Sequence, residues 1–187
     1  MNEEVRKAAG FLKKGLVILY PTDTIWGIGC DATSAEAVSR IYRIKQRPDH
    51  KQMLVLVDGL PMLSSCVYEI PDVAREVILA PARPTTIIYP GAKNLADNLV
   101  SEDGSVGIRI TLDPFCRLLI RNLGRPVVST SANISGREAP SSFAEIDPEI
   151  VTQVDYAVDW RREETEGHSP STIMKLDRDG KLITIRP

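Results

Sequence analysis

Apolar runs of four or five residues recur along the chain, at Leu16–Tyr20, Met53–Val57, Thr85–Tyr89, Val106–Ile110 and Pro126–Ser129. Each is too short to be a helix of ordinary length and is bounded by glycine, proline or polar residues, so each reads as a buried strand. Between them lie stretches with a helical period. Asn2 to Lys14 places Val5, Ala8, Ala9 and Leu12 on one face, with acids early, lysines late and Gly15 as a stop. Thr33 and Glu36 have capping-box spacing ahead of Val38, Ile41, Tyr42 and Lys45, and Pro48 ends that helix. Pro61, Pro71 and Asp113-Pro114 suit first helical turns, and Gly124 closes the last of these. Tyr156–Asp159, Ser171–Asp177 and Leu182–Ile185 complete the expected strands, the last two joined by an Asp179-Gly180 turn. Alternation of this mixed kind predicts an α/β domain built on one sheet.

With 187 residues, 43% of them apolar, a single domain covering 1–187 is the expectation. No apolar run approaches a bilayer span and the amino terminus lacks a signal-peptide core, so a soluble, cytoplasmic protein without membrane contact is expected. Cys30, Cys66 and Cys116 have no paired spacing, and His50 and His168 stand alone, which points to neither a disulfide framework nor a zinc site. The formal charge of −2 argues against a chain whose main task is to coat nucleic acid, though it leaves room for a local basic cleft. Walker A, GxGxxG, nucleophile-elbow, HExxH and kinase signatures are all missing.

Three polar segments follow apolar runs, where open α/β sheets gather their ligands. Lys45-Gln46-Arg47-Pro48 puts two cations at a helix end, suited to a polyphosphate or simply to the helix dipole. Ser129 to Gly136, running into a polar loop expected over Ser131 to Pro140, offers hydroxyls, the Asn133 amide and a glycine, which fits main-chain phosphate binding or an ordinary turn. Pro21-Thr22-Asp23-Thr24 reads as a loop leading to Gly27 and Gly29, against whose backbone a ligand could lie. Trp26 beside them either stacks on a base or fills core.

Taken in order, PTDTIWGIG, KQRP, SVGIR, STSANISG, a late ST and a final IRP resemble the YrdC-like threonylcarbamoyl-adenylate synthase family over nearly the full length. The family pattern Lys-x-Arg followed far downstream by Ser-x-Asn is met by Lys45, Arg47, Ser131 and Asn133. The resemblance implies the short, single-domain form: a twisted mixed sheet with flanking helices enclosing a basic cavity. It implies synthesis of threonylcarbamoyl-AMP and pyrophosphate from L-threonine, bicarbonate and ATP with Mg2+, for a transferase complex that modifies tRNA. By the same resemblance Lys45, Arg47, Ser131 and Asn133 are catalytic, and Thr24, Arg109 and Ser171 hold threonine. Lys45, Arg47, Ser105, Ser131, Asn133 and Arg186 surround ATP, Thr22, Thr86 and Ser129 lie nearby, and no protein side chain is assigned to a metal. Lys45→Ala or Arg47→Ala is expected to cost turnover with little effect on folding.

The chain departs from the family at Ala82-Arg83-Pro84-Thr85-Thr86, where relatives carry proline-glycine-proline, and at Gly167-His168-Ser169-Pro170. Other readings of the same resemblance are a module that binds tRNA or double-stranded RNA, a carbamoyl-adenylate-handling domain, and a scaffold without activity.

Overall fold

The computed structural model describes residues 1–46, 53–79, 83–165, 170–177 and 180–187. Among these, the strands β1 (Ile18–Tyr20), β2 (Gly27–Gly29), β3 (Leu54–Val57), β4 (Thr85–Tyr89), β5 (Val106–Ile110), β6 (Val127–Ser131), β7 (Tyr156–Ala157), β8 (Thr172–Leu176) and β9 (Leu182–Arg186) form one sheet. Its order is β7-β1-β2-β6-β3-β5-β4-β8-β9. β1–β7, β3–β5 and β4–β8 pair parallel and the other neighbours antiparallel, giving the mixed α/β sheet expected.

Strand periodicity divides the sheet into two faces. Val55, Val57, Ile87, Tyr89, Val106, Ile108 and Val128 belong to one core cluster. It is joined there by Val38 and Ile41 of α2 (Ala35–Ile44), Leu63 of α3 (Leu60–Cys66), Ala74 of α4 (Asp72–Leu79) and Ile150 of α6 (Pro148–Gln153). The alternate residues Ile18, Tyr20, Leu56 and Val127 face a second cluster built by α1 (Asn2–Lys13) and α5 (Pro114–Leu123). Burial of each such aliphatic side chain contributes about 1.5–3 kcal/mol, which is why the faces are so consistently sorted. α1 and α5 cover only part of the second face; the remainder of it floors a cavity.

Several boundaries differ from the expectation for local reasons. Gly27–Gly29, read as loop, is a strand bridging β1 and β6. A Cβ on Gly29 would lie 2.5 Å from the Val128 carbonyl oxygen and 2.6 Å from the Tyr20 ring, so this glycine makes room for Tyr20 and not for a ligand. The cap of α2 is Ser34, whose hydroxyl accepts from Ala37 N at 3.3 Å, because Thr33 is already bonded to the Asp31 carboxylate through both its N–H and its hydroxyl. Ser131 closes β6 instead of opening the loop. α6, which the periodicity did not suggest, starts at Asp147, whose carboxylate accepts from Glu149 N at 2.9 Å, with Pro148 in its first turn.

Candidate functional site

The cavity has a volume of about 1100 Å³. Single-ligand clefts commonly run from about 300 to 1,000 Å³, so there is room for a nucleotide and a second small molecule. Its floor comes from alternate positions on neighbouring strands: Ser129 and Ser131 of β6, Gly107 and Arg109 of β5, Thr86 and Ile88 of β4, and Ile173 and Lys175 of β8. The register explains how they meet. Gly27 pairs with Ser131, Leu54 with Ser129, Ile88 with Gly107, and Thr86 with Ile173, and all of these line the same space. Trp26, Tyr42, Asn98, Ser105, Ser171 and Arg186 add to the lining.

Of the residues expected from sequence, Thr24, Thr86, Ser105, Arg109, Ser129, Ser131, Ser171 and Arg186 therefore share one cavity. Thr22, Lys45 and Asn133 adjoin that lining, Thr22 through Thr24 and the other two through Ser131. Thr22 shares a hydrogen bond with Thr24 at 3.0 Å and donates to the Ile25 carbonyl at 2.7 Å, fixing the loop that presents Thr24. Lys45 is 1% exposed, and its ammonium donates to the main-chain carbonyls of Ser131 and Asn133. The Asn133 amide accepts from the Ser131 hydroxyl and donates to Arg137 O at 2.6 Å. This arrangement gives Lys45 a structural part as well: a buried ammonium is tied into the 131–137 loop, and its loss takes a charged donor from the Asn133 carbonyl, while the Ser131 carbonyl keeps the Asn133 N–H at 2.9 Å. Arg47 lies outside the described residues.

Thr86 is 2% exposed and its hydroxyl bonds that of Ser171 at 3.0 Å, so the departure from the family pattern just before it does not displace Thr86 from the cavity. Arg186 Nη2 donates to the Ser171 carbonyl at 2.7 Å, joining β9 to the segment ahead of β8. Of the two roles considered for Trp26 the core one is observed: it is 5% exposed and packs at a 4.8 Å centroid distance on Phe143, with one edge lining the cavity.

The charges are Arg109, Lys175 and Arg186 against Glu102 and Asp103. Asp103 is engaged with the Ser105 hydroxyl and N–H and with Lys175 at 3.2 Å. The Ser105 hydroxyl bond, followed by the Ser105 N–H and then the Lys175 charge, holds its carboxyl below the ordinary 3.8, so it is ionised at neutral pH. Arg109 is 2% exposed; its Nη2 lies 3.0 Å from Asp23 Oδ1 and 3.4 Å from Thr24 Oγ1. Its buried Nε has no hydrogen-bond partner among the described residues, which leaves a donor unspent in a cavity-lining cation. Lys175 was missed from sequence because a lysine in an edge-proximal strand carries no signal until the register sets it beside Ile88. Among the described residues no group of three or more His, Cys, Asp or Glu could hold a metal ion, and no helix is long and apolar enough to cross a membrane.

The arrangement suits a polyanion lying on hydroxyls and cations, with a carboxylate at Arg109, and among the groups placed here it offers no activated nucleophile. The three thiols are buried, and burial pushes each above its ordinary value, so they stay protonated.

A family model described as "Telomere recombination", the Sua5/YciO/YrdC domain, matches residues 10–187. A threonylcarbamoyl-AMP synthase of Pseudoalteromonas translucida is 34% identical over 175 residues, covering 92% of each chain. A second, of Stenotrophomonas maltophilia, is 34% identical over 179 residues, covering 94% of this chain and 95% of that one. Among solved structures, E. coli YciO matches with a TM-score of 0.85 and 28% identity, over 100% of this chain and 89% of its own. P. abyssi Sua5 complexed with L-threonine matches with a TM-score of 0.87 and 25% identity over the whole chain, which spans 54% of that longer protein. From sequence, sheet and cavity together, the chain belongs to the Sua5/YciO/YrdC family.

Proposed function

We propose that the chain is an L-threonylcarbamoyl-AMP synthase, which makes threonylcarbamoyl-AMP and pyrophosphate from L-threonine, bicarbonate and ATP. The observation that carries this reading is the single cavity shared by Thr24, Arg109, Ser131 and Arg186, brought together from distant parts of the sequence. The relatives named as threonylcarbamoyl-AMP synthases, matched over more than nine-tenths of their length, support it.

In this reading the threonine amine and bicarbonate condense to a carbamate with loss of water. A carbamate oxygen attacks the α-phosphorus of ATP, the bond from that phosphorus to the bridging oxygen breaks, and pyrophosphate leaves with the electron pair. Arg109 grips the threonine carboxylate, for which a guanidinium offers parallel donors, and Thr24 and Ser171 frame the amino acid. Ser105, Ser131 and Arg186 face the nucleotide, and Lys45 and Asn133 hold the Ser131 loop in shape. Catalysis by alignment and charge neutralisation needs no covalent intermediate. Mg2+ would come with ATP and would supply neutralisation of phosphate charge. Among the described residues the carboxylates lining the cavity are Glu102 and Asp103, of which Asp103 is engaged by Ser105 and Lys175, so Glu102 is the one that would face the ion.

The product is a reactive mixed anhydride, so the reading requires a partner that takes the threonylcarbamoyl group to tRNA, and with it a cytoplasmic setting. The test is incubation with ATP, Mg2+, bicarbonate and isotopically labelled threonine, with detection of the adenylate by mass spectrometry. Threonine-dependent pyrophosphate release is expected. RNA binding that weakens steeply with salt, with no such release, would instead favour an RNA-binding module. Adenylate formed from ATP when carbamoyl phosphate replaces threonine and bicarbonate would favour a carbamoyl-handling domain.

A further inference from the structure

Behind Thr24 and Arg109, and closing through them, runs a polar circuit whose other members the reaction does not use. Its outer member is Arg161, a non-glycine residue at φ 62°, in the left-handed region that side chains seldom adopt. From there Nη1 donates to Asp113 Oδ2 at 2.8 Å and to the Thr22 carbonyl at 3.4 Å. The other carboxylate oxygen of Asp113 caps α5 through Cys116 N at 2.8 Å, so Asp113 is fixed from two sides. The Asp113 N–H donates to Thr111 Oγ1 at 3.2 Å. With that lone pair occupied, the single hydroxyl proton of Thr111 goes to Asp23 Oδ2, at 3.3 Å. Asp23 Oδ1 then stands 3.0 Å from Arg109 Nη2, which in turn reaches Thr24, and Thr24 is bonded to Thr22, where the circuit closes.

Two features separate this circuit from a plain stabilising ion pair. Thr111 is fully buried and Arg109 nearly so, yet the Asp23–Arg109 contact is close without the angle of a hydrogen bond, and Asp23 Oδ1 and Arg109 Nε both remain without hydrogen-bond partners among the described residues. The carboxylate thus attracts the guanidinium without consuming its donors. A buried ion pair built so loosely is a weak source of stability but an effective way to aim a cation.

We propose that Asp23, held by Thr111, is the positioning residue for Arg109, and that Arg161 locks the circuit from the outside. This rests on the reading that Arg109 holds the threonine carboxylate. Removing the charge at Asp23 frees the guanidinium to turn away from the amino acid while leaving the nucleotide end of the cavity untouched.

The test uses the full chain as wild type, Asp23→Asn, Thr111→Val, Arg161→Ala and Arg161→Lys. Pyrophosphate release is measured against threonine and, separately, against ATP, alongside thermal melting and a crystal structure of Asp23→Asn. A misplacement of about 1 Å can cost on the order of a hundredfold, so the KM for threonine is expected to rise at least about tenfold in Asp23→Asn and Thr111→Val, with the KM for ATP within about twofold. Arg161→Ala should show the same pattern more weakly, and Arg161→Lys should recover most of it. An unchanged KM for threonine, or both KM values rising together with a lowered melting temperature, overturns the proposal. If wild type releases no threonine-dependent pyrophosphate, the functional reading fails, and the crystal structure decides the positioning role alone. An Arg109 guanidinium displaced in Asp23→Asn supports it, and one within about 0.5 Å of its wild-type place overturns it.

Discussion

The ammonium of Lys45, at the end of α2, donates to the main-chain carbonyl of Asn133 at 2.6 Å. A helix terminus and the loop after β6 are thereby joined through a buried cation, and the site's wall depends on a residue adjoining it.

Lys45→Ala is accordingly expected to lose both activity and stability. Hydrogen bonds to charged groups contribute about 1.5–3 kcal/mol, so denaturant unfolding should show a loss of about that size. Turnover, followed as pyrophosphate release, should fall by about tenfold or more as the Ser131 loop loosens. A fully active and fully stable variant would contradict the role described.

Gly29 and Gly107 should respond differently to the same substitution. Gly29→Ala sets a methyl against the Val128 carbonyl and the Tyr20 ring, and overpacking of this kind typically costs about 1–3 kcal/mol, visible as a lower denaturation midpoint. In Gly107→Ala the nearest atom to the new methyl is Thr86 Cγ2 at 3.5 Å, ordinary contact, so stability should hold. That methyl projects from the cavity floor, and the KM for ATP should rise.

Arg186→Ala removes the donors to the Ser171 carbonyl from an exposed strand end. Unfolding free energy should change by no more than about 0.5 kcal/mol, as for most surface changes, while the KM for ATP increases. A melting scan paired with ATP titration separates the two effects.

The thiols give a pH dependence. Burial raises Cys30, Cys66 and Cys116 above the ordinary 9.0, so the folded state disfavours thiolates that the unfolded chain forms freely. Their stabilising contribution is complete below pH 9.0 and is lost as pH climbs from there towards the folded values. Tyr156, pushed up to about 12 by burial and its bond to Glu4, acts in the same direction. Denaturation midpoints measured between pH 7 and 11 should fall only at the alkaline end, and a thiol reagent at pH 8 should react with the cysteines only after unfolding.

Much of the architecture is legible before folding, because local signals and tertiary demands agree. Thr85–Tyr89 and Val106–Ile110 are strands at the expected bounds, and Asp113-Pro114 and Gly124 do bracket α5. β2 was hidden because Gly27-Ile28-Gly29 has poor strand propensity and exists through pairing with partners on both sides. Thr33 failed as a cap because Asp31, two residues away, claims its hydroxyl. In the site, Thr24, Arg109 and Ser131 could be named from motif order. What spacing could not convey was depth, such as the burial of the Lys45 ammonium against the Ser131 and Asn133 carbonyls.

Because floor and core alternate along β5, its site residue is flanked in sequence by residues packed on the opposite side. Arg109 sits between Ile108 and Ile110. Deleting one residue inside β5 would exchange the two sides, sending isoleucine to the ligand and a cation into hydrocarbon. Divergence of such a site is thereby confined to swaps in place, while changes of length are left to the connecting turns.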